Sequence, residues 1–168
     1  MKKVGLFYSI NTKKTTQAAK RIVEALGSNA LEELNAEEVD EKQFTAFDNL
    51  ILGVPTWFDG ELPNYWDEFV PALEDLDLKG KKIAIYGAGD QIGYAENFVD
   101  AIGIMAQLVE KQGATIVGFT STEGYTFEHS QAQRGKQFCG LALDFENQSS
   151  KNKERIVLWC DQLKKEFN

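Results

Sequence analysis

The sequence predicts an α/β domain built on a parallel sheet with helices on both faces. Three observations carry that expectation. Short apolar runs recur without interruption by polar residues, segments of helical spacing separate them, and 168 residues suit one domain. Such unbroken runs mark strands buried on both faces, whereas a half-exposed strand alternates.

Lys3 to Tyr8 (KVGLFY) is the first such run. The polar stretch Ser9 to Thr16 follows, and then Ala18, Ala19, Ile22, Val23 and Leu26 recur at helical spacing until Gly27 stops them. Ala30 to Leu34 is a weaker strand candidate. Asn49 to Val54 (NLILGV) is a strand ended by Pro55, and Lys82 to Tyr86 (KIAIY) is another, closed by Gly87-Ala88-Gly89. Over Glu96 to Glu110, the residues Phe98, Val99, Ile102, Met105, Leu108 and Val109 form one face of a helix. Ala114 to Phe119 (ATIVGF) is a further strand, and Ile156, Val157, Trp159, Cys160 and Leu163 mark a closing helix. The polar segment Thr120 to Gln137 interrupts the alternation before the apolar run Phe138 to Leu143. It is long for a connection, and is expected either to split the last strand or to face a partner.

Composition narrows the function. The chain is 43% hydrophobic and 26% charged, with 18 basic and 26 acidic residues and a net charge of −8. That balance argues against a nucleic-acid binder and against docking on an anionic membrane. Cys139 and Cys160 lack any CxxC spacing and read as core thiols. His129, the one histidine, lies in a polar stretch, so neither a His/Cys metal set nor Ser-His or Cys-His catalysis is expected. The start carries no secretory pattern and no run is long enough to span a membrane, so the cytoplasm is the expected location.

In an open parallel sheet, ligands sit at the carboxyl ends of the strands, where the strand order reverses. Three loops fall there. Ser9 to Thr16 opens a helix with hydroxyls and bare N–H groups, which suits an anion, or else simply caps the helix. It lacks the glycines of a nucleotide P-loop and of a dinucleotide fingerprint. Pro55 to Pro63 holds Trp57 and Phe58 beside an Asp59-Gly60 turn, fit to stack on a flat ligand or to fold onto the core. Gly87 to Asn97 joins glycines, which allow close backbone approach, to a second aromatic, Tyr94. Together they describe a mononucleotide with an aromatic head.

These residues resemble the long-chain flavodoxins over essentially the whole chain, in feel closest to cyanobacterial and algal members. The resemblance rests on VGLFY at Val4–Tyr8, GVPTW at Gly53–Trp57 and GDQIGYAENF at Gly89–Phe98, with STEGYTF at Ser121–Phe127 and GLALDFENQS at Gly140–Ser149. It implies a single domain over residues 1–168, a doubly wound five-stranded sheet of order 2-1-3-4-5 and a loop that splits the last strand. That strand order is a property of the flavodoxins themselves. It implies non-covalent FMN and one-electron transfer by a monomer that converts no substrate of its own. Carried over, Ser9, Asn11, Thr12, Lys13, Lys14 and Thr15 would hold the phosphate. Pro55, Thr56, Trp57, Phe58, Asp59 and Gly60 would flank one face and the N5 edge of the flavin. Ala88, Gly89, Asp90, Tyr94 and Asn97 would cover the other face, and Glu146 would lie near the ribitol.

Two positions depart from the family pattern. The family usually has Asp where this chain has Glu146. Its phosphate loop usually reads Thr/Ser-x-Thr-Gly-x-Thr, where this chain has Ile10-Asn11-Thr12-Lys13-Lys14-Thr15. If the glycine position needs φ > 0, Lys13 costs roughly 1–2 kcal/mol there, and Lys13→Gly should stabilise the flavin-free protein.

Between Val54 and Asp100 stand ten acidic residues against three basic ones. That field opposes the arrival of a second electron and suits docking of basic-faced redox proteins, such as ferredoxin–NADP reductase or photosystem I. A flavodoxin-like NAD(P)H:quinone reductase is the enzymatic alternative, yet no segment announces a nicotinamide pocket. A signalling receiver domain would want clustered acids where this chain has Ser9-Ile10-Asn11-Thr12.

Overall fold

β1 (Val4–Tyr8) is buried at every residue, as its unbroken apolar run requires. In the computed structural model, which describes residues 1–168, it pairs in parallel with β2 (Leu31–Asn35) on one side and β3 (Asn49–Gly53) on the other. β4 (Lys82–Ala88) pairs with β3. β5 (Thr115–Val117) takes the first half of the last position, against Lys82–Ala84. The chain then leaves the sheet to form β6 (Thr120–Ser121), β7 (Gln133–Arg134) and β8 (Gln137–Phe138), a small antiparallel sheet of order β6-β8-β7. It returns as β9 (Leu141–Leu143), which pairs with Tyr86–Ala88. The order is therefore β2-β1-β3-β4 with a split fifth position, as the resemblance implies.

Side-chain alternation divides the interior into two cores. Leu6, Tyr8, Ile51, Ala84 and Tyr86 face α1 (Lys13–Leu26) and the closing helix. Phe7, Leu50, Leu52, Ile83 and Ile85 face the other side, covered by α2 (Glu41–Thr45), α3 (Asn64–Asp67), α4 (Val70–Leu73) and α5 (Asp100–Lys111). α6 (Ser149–Glu166) closes the chain. Pro71, in the first turn of α4, cannot extend the α3 ladder, so two short helices replace one long crossover. Trp66 fixes them to the sheet by donating its indole N–H to the Gly53 carbonyl at 2.9 Å.

Three expectations need adjusting. α5 begins at Asp100 rather than Glu96, because Ala95–Asn97 is a 3₁₀ turn and buried Val99 takes a left-handed φ of 49°. α6 starts seven residues before its first apolar marker, since its opening turns are mostly exposed. The polar excursion hides an aromatic cluster, in which Tyr125 and Phe127 pack on Phe98 and Phe138 at 5.1–5.7 Å between ring centres. Both cysteines are buried and free, and burial raises their thiol pKa values, Cys160 to about 12.

Gly87 lies inside β4, where an added Cβ would come within 2.1 Å of the Val54 carbonyl oxygen. Gly87→Ala should therefore push β3 and β4 apart and cost about 1–3 kcal/mol or more, read as a lower urea midpoint. An unchanged midpoint would show that the two strands have slack here.

Candidate functional site

The three loops after β1, β3 and β4 meet at one cleft of about 440 Å³, on the edge where the strand order reverses between β1 and β3. All twelve residues that line it are among those expected from the sequence: Thr12 to Thr15, Pro55 to Trp57, Ala88 to Asp90, Tyr94 and Glu146. Phe58 and Asn97 line an adjoining hollow that shares Trp57 and Tyr94. Four expected residues lie outside both. Ser9 is buried, Asn11 points away to Glu37, Asp59 is exposed, and Gly60 packs beneath its turn.

The first loop is not a capped helix start. Thr12 takes an extended conformation before α1, yet no side chain accepts from the helix. Its hydroxyl donates back to the Ser9 carbonyl at 2.7 Å, and Ser9 Oγ accepts from the Asn11 N–H at 3.3 Å. The N–H groups of Lys13, Lys14 and Thr15 find no acceptor in the protein. They carry the positive end of a 14-residue helix toward the cleft, the arrangement that binds anions. The plainer capping role is thereby set aside.

The expectation of strain at Lys13 is corrected. Phe58 and Val99 are the non-glycine residues with positive φ, and Lys13 is an ordinary first residue of α1. The turn is completed at Ile10 and Asn11, before Lys13 is reached.

The second loop is a tight turn. Trp57 and Glu61 exchange two backbone hydrogen bonds, 2.9 and 2.8 Å, and leave Phe58, Asp59 and Gly60 at its tip. Gly60 has φ +96°, and a Cβ there would meet Asp100 Oδ2 at 2.6 Å, so a side chain at this position would be strained and would crowd Asp100. Trp57 is half-buried, held edge-on by Tyr65 at 5.8 Å, with its remaining surface on the cleft. Thr56 lends its hydroxyl to the Ala101 N–H at 3.1 Å, tying this loop to α5.

The third loop departs from its sequence reading in one respect. Gly87 and Gly93 make room for the protein's own atoms, the Val54 carbonyl and the Asp90 carboxylate, and a Cβ at Gly89 would meet Val99. Gly87 and Gly89 thus serve packing against neighbouring segments, and Gly93 serves packing within the loop. Asp90 accepts from Gly93 N–H at 2.7 Å, Ile92 N–H at 3.1 Å and Asn147 Nδ2 at 2.7 Å. These bonds, Gly93's foremost, hold its pKa below the usual carboxylate range.

Asp144, fully buried just after β9, joins the loops. It accepts from Gln91 N–H and Nε2 at 3.1 and 2.7 Å, and from Asn147 N–H and Nδ2, both at 2.9 Å. Burial acts to raise its pKa, but these donors outweigh it and leave the carboxyl below its ordinary value. Asp144, Gln91, Asn147 and Glu37 were missed from the sequence. Each left a signal: Gln91, Asp144 and Asn147 lie inside the motifs that carry the resemblance, and Glu37 follows β2, which neighbours β1 in the implied order.

A family model for flavodoxin matches residues 6–159. A flavodoxin of Nostoc sp. is 43% identical over 166 residues, covering 99% of this chain and 98% of that protein. Flavodoxin 1 of Escherichia coli (strain K12) is 39% identical over 165 residues, covering 98% and 94%. The crystal structure of Fusobacterium nucleatum flavodoxin bound to flavin mononucleotide superposes with a TM-score of 0.94 at 36% identity, covering 100% of both chains.

Two outcomes are expected from these contacts. Asp144→Asn turns an amide toward its donors and should cost about 1–3 kcal/mol near neutral pH. Because its folded pKa is depressed, the wild type holds this contribution fully above the ordinary Asp value of about 3.9 and loses it as pH falls through the lower folded value. Urea unfolding should show the Asn variant flatter over that acid window; parallel curves would refute the assignment. Lys13→Gly relieves no strain and should lower the stability of the flavin-free protein by up to about 1 kcal/mol. A clear rise in its melting temperature would show otherwise.

Proposed function

The chain belongs to the flavodoxin family, and from that premise we propose that it is a low-potential, one-electron carrier using non-covalently bound FMN. The observation that supports this most is the cleft itself, where unpaired amides of α1 stand at one end and Trp57 and Tyr94 at the other. The residues fit the group: an anion site for the phosphate and two aromatic faces for the ring. The flavin supplies the redox chemistry, and the protein tunes it by stacking, hydrogen bonds and charge.

Lys13 to Thr15 would hold the phosphate through backbone N–H groups. Trp57, braced by Tyr65, and Tyr94 would cover the two faces of the ring. The Phe58–Asp59 peptide, at the tip of a closed turn, would present its backbone to the N5 edge. Phe58 holds a left-handed φ of 49°, a strain of roughly 1–2 kcal/mol that the closed Trp57–Glu61 turn sustains. Asp90 and the acidic surface would oppose a second electron.

The carrier would act as a cytoplasmic monomer in place of a ferredoxin, passing electrons between proteins and converting no substrate of its own. Ile10, Phe58, Ile92 and Tyr94 are 52–69% exposed on the three loops, an apolar rim within an acidic surround. That combination suits brief docking of a basic-faced redox protein such as ferredoxin–NADP reductase or photosystem I. No helix is long and apolar enough to cross a membrane.

Titration of the flavin-free protein should show FMN binding more tightly than riboflavin, with Trp57→Ala weakening FMN by about 1–3 kcal/mol. Equal affinity for the two flavins would remove the phosphate site. Stepwise reduction of the loaded protein should show two separated potentials, the second lower and raised by Asp90→Asn or Glu61→Gln. A single two-electron wave, or steady NADPH oxidation with quinone, would instead indicate the reductase. Exchange with a basic partner should slow with salt, since screening acts within about 8 Å at physiological ionic strength.

A further inference from the structure

Two carboxylates from elsewhere in the chain already engage the side chains of the Ser9–Thr15 loop. Glu37, in the 3₁₀ turn Ala36–Glu38 after β2, accepts from Asn11 Nδ2. Glu146 forms an ion pair with Lys14 Nζ, and both residues line the cleft. They stand 132 positions apart, so the fold brings them together, and no local helical spacing does. Lys13, one residue earlier, makes no ion pair. A loop whose bare amides suit a dianion thus has one of its two ammonium groups held by a carboxylate.

We propose that Glu146 sets how strongly this cleft prefers a phosphorylated flavin over a phosphate-free one, by competing with the phosphate for Lys14. The inference rests on the FMN reading of the cleft. A ligand without phosphate leaves the Lys14–Glu146 pair intact. A phosphate must either displace Glu146 from Lys14 or sit beside its charge. Both lower affinity for the phosphorylated ligand alone. The pair is about half exposed, 47% and 53%, so water and salt weaken it and it yields to a stronger anion. Glu146 therefore tempers the site without closing it. Its side chain is one methylene longer than Asp, so Glu146→Asp should reach Lys14 less well and act in the same direction as Glu146→Gln, but less.

The test is calorimetric titration of the flavin-free full chain with FMN and with riboflavin, at low and high salt. Wild type, Glu146→Gln, Glu146→Asp, Lys14→Gln and the Lys14→Gln/Glu146→Gln double variant are compared. Glu146→Gln should raise the ratio of FMN to riboflavin affinity about three- to tenfold at low salt, the range an exposed pair and its screened repulsion supply. The gain should shrink at about 0.5 M salt, and should be smaller where Lys14 is already Gln. An unchanged or lowered ratio overturns the proposal, because Glu146 would then be a neutral or favourable contact. An equal gain with and without Lys14 also overturns it, since the competition would not run through that residue. Failure of the FMN reading looks different: neither flavin binds the wild type, or both bind it equally.

Discussion

The cleft exists because the chain winds in opposite senses on the two sides of the β1–β3 pair. From β1 it crosses one face through α1 to β2, and from β3 it crosses the other face through α3 and α4 to β4. Right-handed crossovers from adjacent parallel strands can diverge in this way, and the loops they open with leave a crevice between them. The first loop enters α1 with its amides unspent. The second stays tied to its neighbour strand, Val54 N–H to Tyr86 O at 2.8 Å and Thr56 N–H to Ala88 O at 3.3 Å, and so cannot fall into the gap. Any anion or ring site at this edge depends on that divergence.

Splitting the last strand completes the enclosure. Had β5 run on unbroken, the residues after it would differ; the excursion lets β9 pair with the end of β4 and deliver Asp144 behind the cleft. From there one buried carboxylate gathers Gln91 and Asn147, and Asn147 reaches on to Asp90 at 2.7 Å. The polar character of the excursion conceals how firmly it is held. Tyr125 donates to the Ala142 carbonyl at 2.6 Å while its ring packs against Phe98 and Phe138.

Charge is unevenly used. The acidic stretch from Val54 to Asp100 has three lysines, and one of them, Lys81, is turned inward to the carbonyls of Thr45 and Phe47 at 2.9 and 2.6 Å. Asp100 is likewise buried, accepting from Gln131 N–H at 2.7 Å beneath the Trp57 turn. What remains on that surface is strongly negative. The Ser9–Thr15 loop, with Lys13, Lys14 and three bare amides, is a small positive site set in a negative protein. Such contrast holds an anion locally while the wider field acts on partners and on added electrons.

The strands and the three loops were legible in the sequence because each depends on a short window. A strand covered on both faces needs an unbroken apolar run, as in Asn49–Val54, and a doubly wound sheet then says which loops matter. All twelve cleft residues followed from that rule together with the family motifs. What only the tertiary structure decided involves meetings between distant segments. The conformation of Lys13 was settled by where the turn before α1 ends. The partners of Asn11 and Lys14 lie 26 and 132 positions away, and Asp144 meets Gln91 across 53 positions. The packing of Tyr125 and Phe127 was masked by the polar residues around them. Local patterning reports what a segment must bury, whereas the hydrogen bonds and ion pairs that aim its side chains form only after the sheet has set which segments are neighbours.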